Sequence, residues 1–400
     1  MKVPWLPLIL VFISPVVFSQ TQAMREEELR QAIDVIETRY AYMRFNKEQI
    51  SSLRRKYLKE AERPLDNRQY VALLERLLDE FHDNHLQLNT NIGDSYRLVP
   101  SQSSFLAEWQ GSSAIIFGVS PSVAREATAI RVGSEILEVN GKPIKKAVSE
   151  RLEHHLDRTS PFAKHWALNS VISGRRDRPV LLRTIYHGIV SLKEIPTPIS
   201  SGNSRDLINC RLNSDAYYVR FEDSLGRTST IDSFRQLLPA MEQSKAVVID
   251  LRNTPSGGNS LVARGILGHF VSQERPYQMH ELPQEASDYG IPRRWLELVS
   301  PLAPKISAPV TVLVGPWTGS MGEGLAIGFD ATRSAIVMGR PMAQLRGATS
   351  CISLPSLGSS ACINLPTERL FHVSGAPRES FRPAQQEPAS LVESHDVCGG

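Results

Sequence analysis

The sequence lacks charge of one sign: 45 basic side chains stand against 42 acidic ones, a net charge of +3. So even a balance builds no broad cationic field, which excludes nucleic-acid binding from the expected functions. Cysteine is scarce, with only Cys210, Cys351, Cys362 and Cys398. Neither these four nor the ten histidines fall at paired metal-ligand spacing, so no metal and no cofactor are expected, and the adjacent His154 and His155 read as helix-surface residues. Beyond the first twenty residues no apolar run is long enough to span a membrane. Hydrophobic and charged shares of 41% and 22% are those of an ordinary globular protein. At 400 residues the chain has room for two or three domains.

What is present begins with a leader. Lys2 precedes an apolar run from Leu6 to Phe18, then the small Ser19 and polar Gln20. This is the layout of a secretory signal peptide, residues 1–19, with cleavage after Ser19, and it predicts an exported, periplasmic or extracellular protein with no stable membrane anchor. A retained signal anchor is the alternative, but the run is about 13 residues against the roughly 20 of a spanning helix. Export permits disulfides. Cys351 and Cys362 flank Pro355, Gly358, Ser359 and Ser360, a turn-rich stretch that a bridge would close, although spacing fixes no connectivity.

From Ala23 to about Glu80 apolar residues recur at three and four positions, as in Ile33, Ile36 and Tyr40 and in Tyr70, Leu73, Leu74, Leu77 and Leu78. Pro64, Asp66 and Asn67 break this into at least two helices of a domain spanning 20–92. Over 93–196 short β-prone runs alternate with turns, and in the stretch from Gly133 an apolar strand runs into Asn140-Gly141, a pair suited to the positive φ of a tight hairpin. After a polar linker at 200–206, strands at 216–221, 246–250 and 310–314 alternate with helices, which argues for a largely parallel sheet within 207–390. A tail of 391–400 closes the chain. Active sites of such sheets gather at the carboxyl ends of the strands.

Two segments lie at such ends. The run Val247-Val248-Ile249-Asp250-Leu251-Arg252 leads through Asn253, Thr254, Pro255 and Ser256 to Gly257-Gly258 at a helix start, where free backbone N–H groups could face a developing oxyanion. The run 310–314 leads through Gly315, Pro316, Trp317, Thr318 and Gly319 to Ser320, followed by Met321, Gly322, Glu323 and Gly324. A serine at a strand-to-helix turn among small residues is exposed as a nucleophile, and the N–H after it serves the oxyanion. Taken singly, the glycines are a tight turn and the serine, with Glu323, a capping box.

The order of the segments resembles the tail-specific, or C-terminal-processing, serine proteases and the related tricorn core. The carrying motifs are "D-L-R-x-x-x-x-G-G" at Asp250 to Gly258, the small-residue turn at Thr318 to Glu323, and "G-S-E-I-L-E-V-N-G" at Gly133 to Gly141, which is similar to a PDZ signature. The resemblance implies an α/β multidomain fold: an N-terminal helical domain, a PDZ-like β-rich domain and a ClpP/crotonase-like core. It also implies Ser320 as nucleophile, with Gly257 or Gly258 and Met321 supplying oxyanion N–H groups. One branch of the family uses a lysine base after the serine helix. This chain has no lysine beyond Lys305, and Arg340 and Arg346 stay protonated. The tricorn branch uses a histidine and a glutamate. Asp83-Asn84-His85-Leu86-Gln87-Leu88 resembles its "D-x-H-x-x-L" and puts His85 at the base position, with His82 one turn away; Pro377-Arg378-Glu379 puts Glu379 at the acid position, orienting His85 directly or through a hydroxyl. Thr254, Pro255 and Ser256 depart from the family's more compact glycine motif.

The expected function is an exported serine peptidase acting on flexible or C-terminal polypeptide segments, with possible capture of the substrate's C-terminus on the PDZ-like domain. A catalytically silent binder of peptides or hydrophobic ligands, and a crotonase-like enzyme acting on a thioester, are the alternatives.

Overall fold

The computed structural model describes residues 15–120, 130–197, 206–212, 215–383 and Cys398. The apolar core of the leader up to residue 14, the linker at 200–205 and all of the tail except Cys398 lie outside the described residues. No helix among the described residues is long and apolar enough to cross a membrane.

The N-terminal periodicity becomes three helices, Pro15–Arg39, Lys47–Ala61 and Asn67–Asp79. Asn46 and Asp66 cap the second and third, each accepting from the backbone of a glutamine three residues on, which itself reaches back to the cap. The apolar stripe of Leu53, Tyr57, Tyr70, Leu74 and Leu77 is almost wholly buried. Part of what covers it comes from the far end of the chain: Leu354, Ala361, Ile363 and Leu365 share the same core. The strands Ala348–Ser353 and Cys362–Phe371 pair antiparallel, and the Cys351–Cys362 disulfide joins them. With Arg275–Leu282, Arg293–Val299 and the short Gln87–Leu88 they form a five-stranded antiparallel sheet, an element that no periodicity announced.

Residues 105–195 build a second, six-stranded antiparallel sheet, ordered Phe105–Gln110, Ser113–Val119, Glu135–Val139, Val180–Tyr186 and Ile189–Ile195, with Lys142–Pro143 paired to the third strand. Asn140 and Gly141 take φ 51° and 75° in the expected hairpin turn. Two helices, Ile144–Leu152 and Pro161–Ser173, pack on this sheet around a separate core containing Phe105, Ile116, Ile136, Trp166 and Leu182.

The third sheet runs Ile336–Gly339, Val310–Val314, Ala246–Asp250, Ala216–Phe221 and Leu207–Leu212. Its first four strands are parallel and the last is an antiparallel edge. Strand 246–250 is central and strand 310–314 its neighbour, in register Val247 to Val310 and Ile249 to Val312. Both strands are near-continuous apolar runs because helices cover the sheet, Ser260–Leu267 and Met321–Ala331 among them. The helical stretch between strands 216–221 and 246–250 is two short helices, Ser229–Arg235 and Leu238–Glu242, with Pro239 in the first turn of the second. A second disulfide, Cys210–Cys398, ties the edge strand to the C-terminal end.

Candidate active site

The two central parallel strands end side by side, and their pairing continues into the loops that follow. Thr254 bridges Thr318; the Thr254 N–H donates to the Trp317 carbonyl at 3.0 Å, and the Gly319 N–H to the Thr254 carbonyl at 3.1 Å. The Thr254 and Thr318 hydroxyls both donate to the Leu251 carbonyl, at 2.9 and 2.8 Å. The residues that lengthen the glycine motif are thus what fastens the glycine loop to the serine loop. Ahead of them Asp250, wholly buried, holds the Arg252 guanidinium at 2.7 Å and accepts from Tyr218 at 2.5 Å, which explains the Asp-Leu-Arg motif as a brace at the strand end.

Ser320 is the residue before the helix Met321–Ala331 and takes φ 50°, ψ −109°, a conformation costly to any residue with a Cβ. Such a turn thrusts the side chain out at a strand-to-helix corner. Gly257, at φ 70°, lies directly against it: a Cβ there would stand 2.9 Å from both Ser320 Oγ and the Met321 nitrogen, and closer still to Ser320 Cβ. The Gly257 N–H is committed to the Thr254 carbonyl at 3.2 Å. Among the described residues, the N–H groups of Gly258 and Met321 have no acceptor, so of the three expected donors these two are free. Gly258 is itself required, because a Cβ would run into the Leu225 carbonyl.

Glu323, 0% exposed, caps the serine turn from below. Its oxygens accept from the N–H groups of Ser320 at 2.9 Å, Gln344 at 2.8 Å and Leu345 at 3.1 Å. Burial pushes this carboxyl up to about 7, against the pull of Arg378 and the three donors.

His85 arrives at the other side of the same 344–347 segment. Asp83 sets its backbone by accepting the His85 N–H at 2.9 Å, with the Tyr40 hydroxyl on its other oxygen at 2.6 Å, so the aspartate of the D-x-H pattern shapes the turn. The His85 Nδ1–H donates to the Arg346 carbonyl at 2.6 Å. That bond leaves Nε2 as the bare nitrogen of the neutral ring. Burial lowers the His85 pKa, with Arg378 adding to the effect. His82 goes elsewhere: it stacks on His155 at 5.0 Å and 5°, with Nε2 at 2.9 Å from His155 Nδ1, and burial pushes the two down to about 4 and 3. His155 is therefore half-buried against His82 and Trp166, past the end of the helix Ile144–Leu152, whereas His154 is exposed.

No hydrogen bond joins Ser320 Oγ to His85, and none joins Glu379 to His85, whose Nδ1 is taken by the Arg346 carbonyl. Glu379 Oε2 is buried without a partner among the described residues, as is the Tyr42 hydroxyl. The two are near enough that Glu379, after burial itself, is the largest influence raising the Tyr42 pKa. The glycine loop, the serine turn and the histidine segment were legible in the sequence. The Arg346 carbonyl was not, since a backbone acceptor has no residue signature, and Glu323 was visible only as a helix cap.

Among the described residues no cluster of histidine, cysteine and carboxylates is arranged to hold a metal.

Residues 216–381 match peptidase family S41. No curated protein sequence matches the chain. Among solved structures, the photosystem II D1 C-terminal processing protease is similar over 95% of this chain and 97% of its own, at 15% identity and a TM-score of 0.55. Mature CPAF is similar over 94% and 95%, at 13% identity and 0.58. A lipoprotein from Streptococcus agalactiae is similar over 97% of each chain, at 13% identity and 0.53. At these identities the likeness speaks for the fold, a mixed α/β architecture shared across nearly the whole length.

Proposed function

We propose, from the match of residues 216–381 to peptidase family S41, that the chain is a serine peptidase that cleaves flexible or C-terminal segments of polypeptides with Ser320 as nucleophile and His85 as general base. The observation that carries the reading is the state of His85: a buried imidazole, kept neutral by desolvation, with its proton pinned on Nδ1 by a carbonyl and its Nε2 lone pair free. In the reaction Nε2 takes the proton of Ser320 Oγ as the oxygen attacks the scissile carbonyl. The N–H groups of Met321 and Gly258 receive the oxyanion, and the imidazolium returns its proton to the leaving amine. Water then repeats the cycle on the acyl-enzyme. An empty site without a serine–histidine hydrogen bond is compatible with this, because such bonds tighten when substrate arrives.

Glu379 is assigned the supporting acid. Its buried oxygen has no partner among the described residues and its charge is felt at the Tyr42 hydroxyl; with Nδ1 held by the Arg346 carbonyl and Nε2 kept for Ser320, its support acts on the surrounding segment and not on the ring. The leader sequence and the disulfides Cys210–Cys398 and Cys351–Cys362 support a site of action outside the cytoplasm. Residues 93–196 are read as a PDZ-like module.

The test is cleavage of denatured casein by the purified chain before and after Ser320→Ala: the parent cleaves and the variant does not. Equal cleavage by both removes the proposal. The second reading, a silent binder on the same fold, draws on the absent serine–histidine bond, and an inactive parent that still binds peptides would favour it.

A further inference from the structure

We propose that Glu323 and Arg378 are positioning residues that clamp the 344–347 segment from two sides and thereby hold the Arg346 carbonyl against His85. The inference rests on the reading of Ser320 and His85 given above.

The segment has no regular secondary structure of its own, yet its peptide groups are pinned one after another. Glu323 takes the N–H groups of Gln344 and Leu345 at 2.8 and 3.1 Å. Arg378, 2% exposed, donates from Nη2 to the carbonyls of Leu345 and Gly347 at 2.9 and 3.0 Å. The carbonyl lying between those two, that of Arg346, is the one His85 Nδ1 receives. At the other end Glu323 also holds the N–H of Ser320 itself, at 2.9 Å. A continuous path of hydrogen bonds and main chain therefore runs from the Ser320 amide through Glu323 to the Leu345 N–H, and along the backbone through the Arg346 carbonyl to His85. It sets the distance between nucleophile and base although the two do not touch.

The chemistry of the pair fits this use. A carboxylate with three N–H donors and a guanidinium with two carbonyls are each matched to backbone groups, and the attraction between the two charges adds to the hold from both sides. Burial makes the arrangement stiff and selective, because a buried peptide group left without its partner is costly. Arg378 is also the neighbour of Glu379, and so anchors the acid-bearing segment to the same loop.

Glu323→Gln keeps the shape but turns an amine on N–H donors; Arg378→Met keeps the apolar stem but strands two carbonyls. The measurements are kcat and KM on a peptide substrate across pH, and the rate of Ser320 labelling by a fluorophosphonate, on variants shown to be folded by circular dichroism. The expected result is a fall of about 100-fold in kcat and labelling rate with KM within about twofold, as for a misplaced catalytic group. The acid limb of the pH profile is expected to move up toward the ordinary histidine value as water reaches His85, where Arg378, Asp83 and the Arg346 carbonyl now govern it. Arg378→Lys, which keeps the buried charge, should recover part of the rate and covers the case in which Arg378→Met does not fold. Folded variants with parental kcat and an unmoved pH profile overturn the clamp alone. A parent chain that is not labelled at Ser320 overturns the clamp together with the reading it rests on.

Discussion

The Nδ1–H of His85 donates to the carbonyl of Arg346 at 2.6 Å, across 261 residues of sequence. This single bond decides the tautomer of the ring, and so which nitrogen can act as a base. In the Ser-His-Asp arrangement a carboxylate performs that service; here a backbone carbonyl does, and the buried Glu323 acts on the backbone that carries it.

A neutral His85 has consequences for pH. Its folded pKa lies below the ordinary 6.5 because burial disfavours the cation. The base should stay competent into mildly acidic solution, with the acid limb of kcat/KM falling below pH 6.5 in a peptide-cleavage profile. The unfolded chain takes up this proton first as pH falls. His85 therefore contributes stability above the ordinary histidine value and loses it as pH drops through that value toward the folded pKa. An acid limb above pH 6.5 would be inconsistent with the buried ring acting as the base.

His82 and His85, three positions apart, should separate cleanly. His82 stacks on His155, lies tilted against Trp166 at 5.0 Å, and bonds to His155 and not to the serine loop. His82→Gln is expected to keep kcat within about threefold while lowering the melting temperature, a core effect of about 1–3 kcal/mol. A loss of kcat as large as that of a catalytic group would show that the wrong histidine has been assigned.

Gly257→Ala tests the contact between the two loops. The added Cβ must enter space held by Ser320 and Met321, at a φ of 70°. The expected cost is about 1–3 kcal/mol of stability. If the oxyanion donors shift with the loop, kcat should fall by about 100-fold or more. Thermal unfolding and steady-state kinetics on the same preparation check both, and unchanged kinetics would mean that the glycine loop is not part of the site.

Trp317 fastens the serine loop to the residues ahead of the second sheet. Its Nε1–H is shared between the carbonyls of Pro100 and Ser103, at 3.0 and 3.2 Å, and its ring packs on Gly118. Trp317→Ala should destabilise by about 3–5 kcal/mol, read from denaturant unfolding. Trp317→Phe, which loses the donor but fills most of the volume, should cost about 1–3 kcal/mol.

The Cys351–Cys362 bridge closes a short loop, 11 residues apart, in the hairpin that helps to cover the N-terminal helices. Chain-entropy arithmetic assigns such a loop about 3 kcal/mol. Cys351→Ser with Cys362→Ser should lower the melting temperature in oxidising buffer and leave it unchanged relative to the parent under reduction of that bond.

Much of this architecture was legible in the sequence, and for identifiable reasons. Residues 246–250 and 310–314 are near-continuous apolar runs because the sheet is covered on both faces, and Ser320 stands out because a strained corner demands small neighbours. His85 was pointed to only by the resemblance of its segment to the D-x-H-x-x-L pattern, and the structure gives Asp83 in that pattern the work of closing the turn. The five-stranded sheet stayed hidden since Arg275–Leu282 and Arg293–Val299 are half-exposed and carry charges on both faces. The Arg346 side chain stays protonated and cannot be a base, and its contribution comes from the main chain. Glu323 looked like a cap and is one; its hold on Gln344 and Leu345 depends on a tertiary contact that no local pattern encodes.

The most direct measurement is peptide mapping by mass spectrometry after fluorophosphonate treatment of the parent and of His85→Ala. The account predicts an adduct on Ser320 in the parent, formed at least about 1,000-fold more slowly in the variant. A parent that forms no adduct at Ser320, or a variant that forms it equally fast, would contradict it.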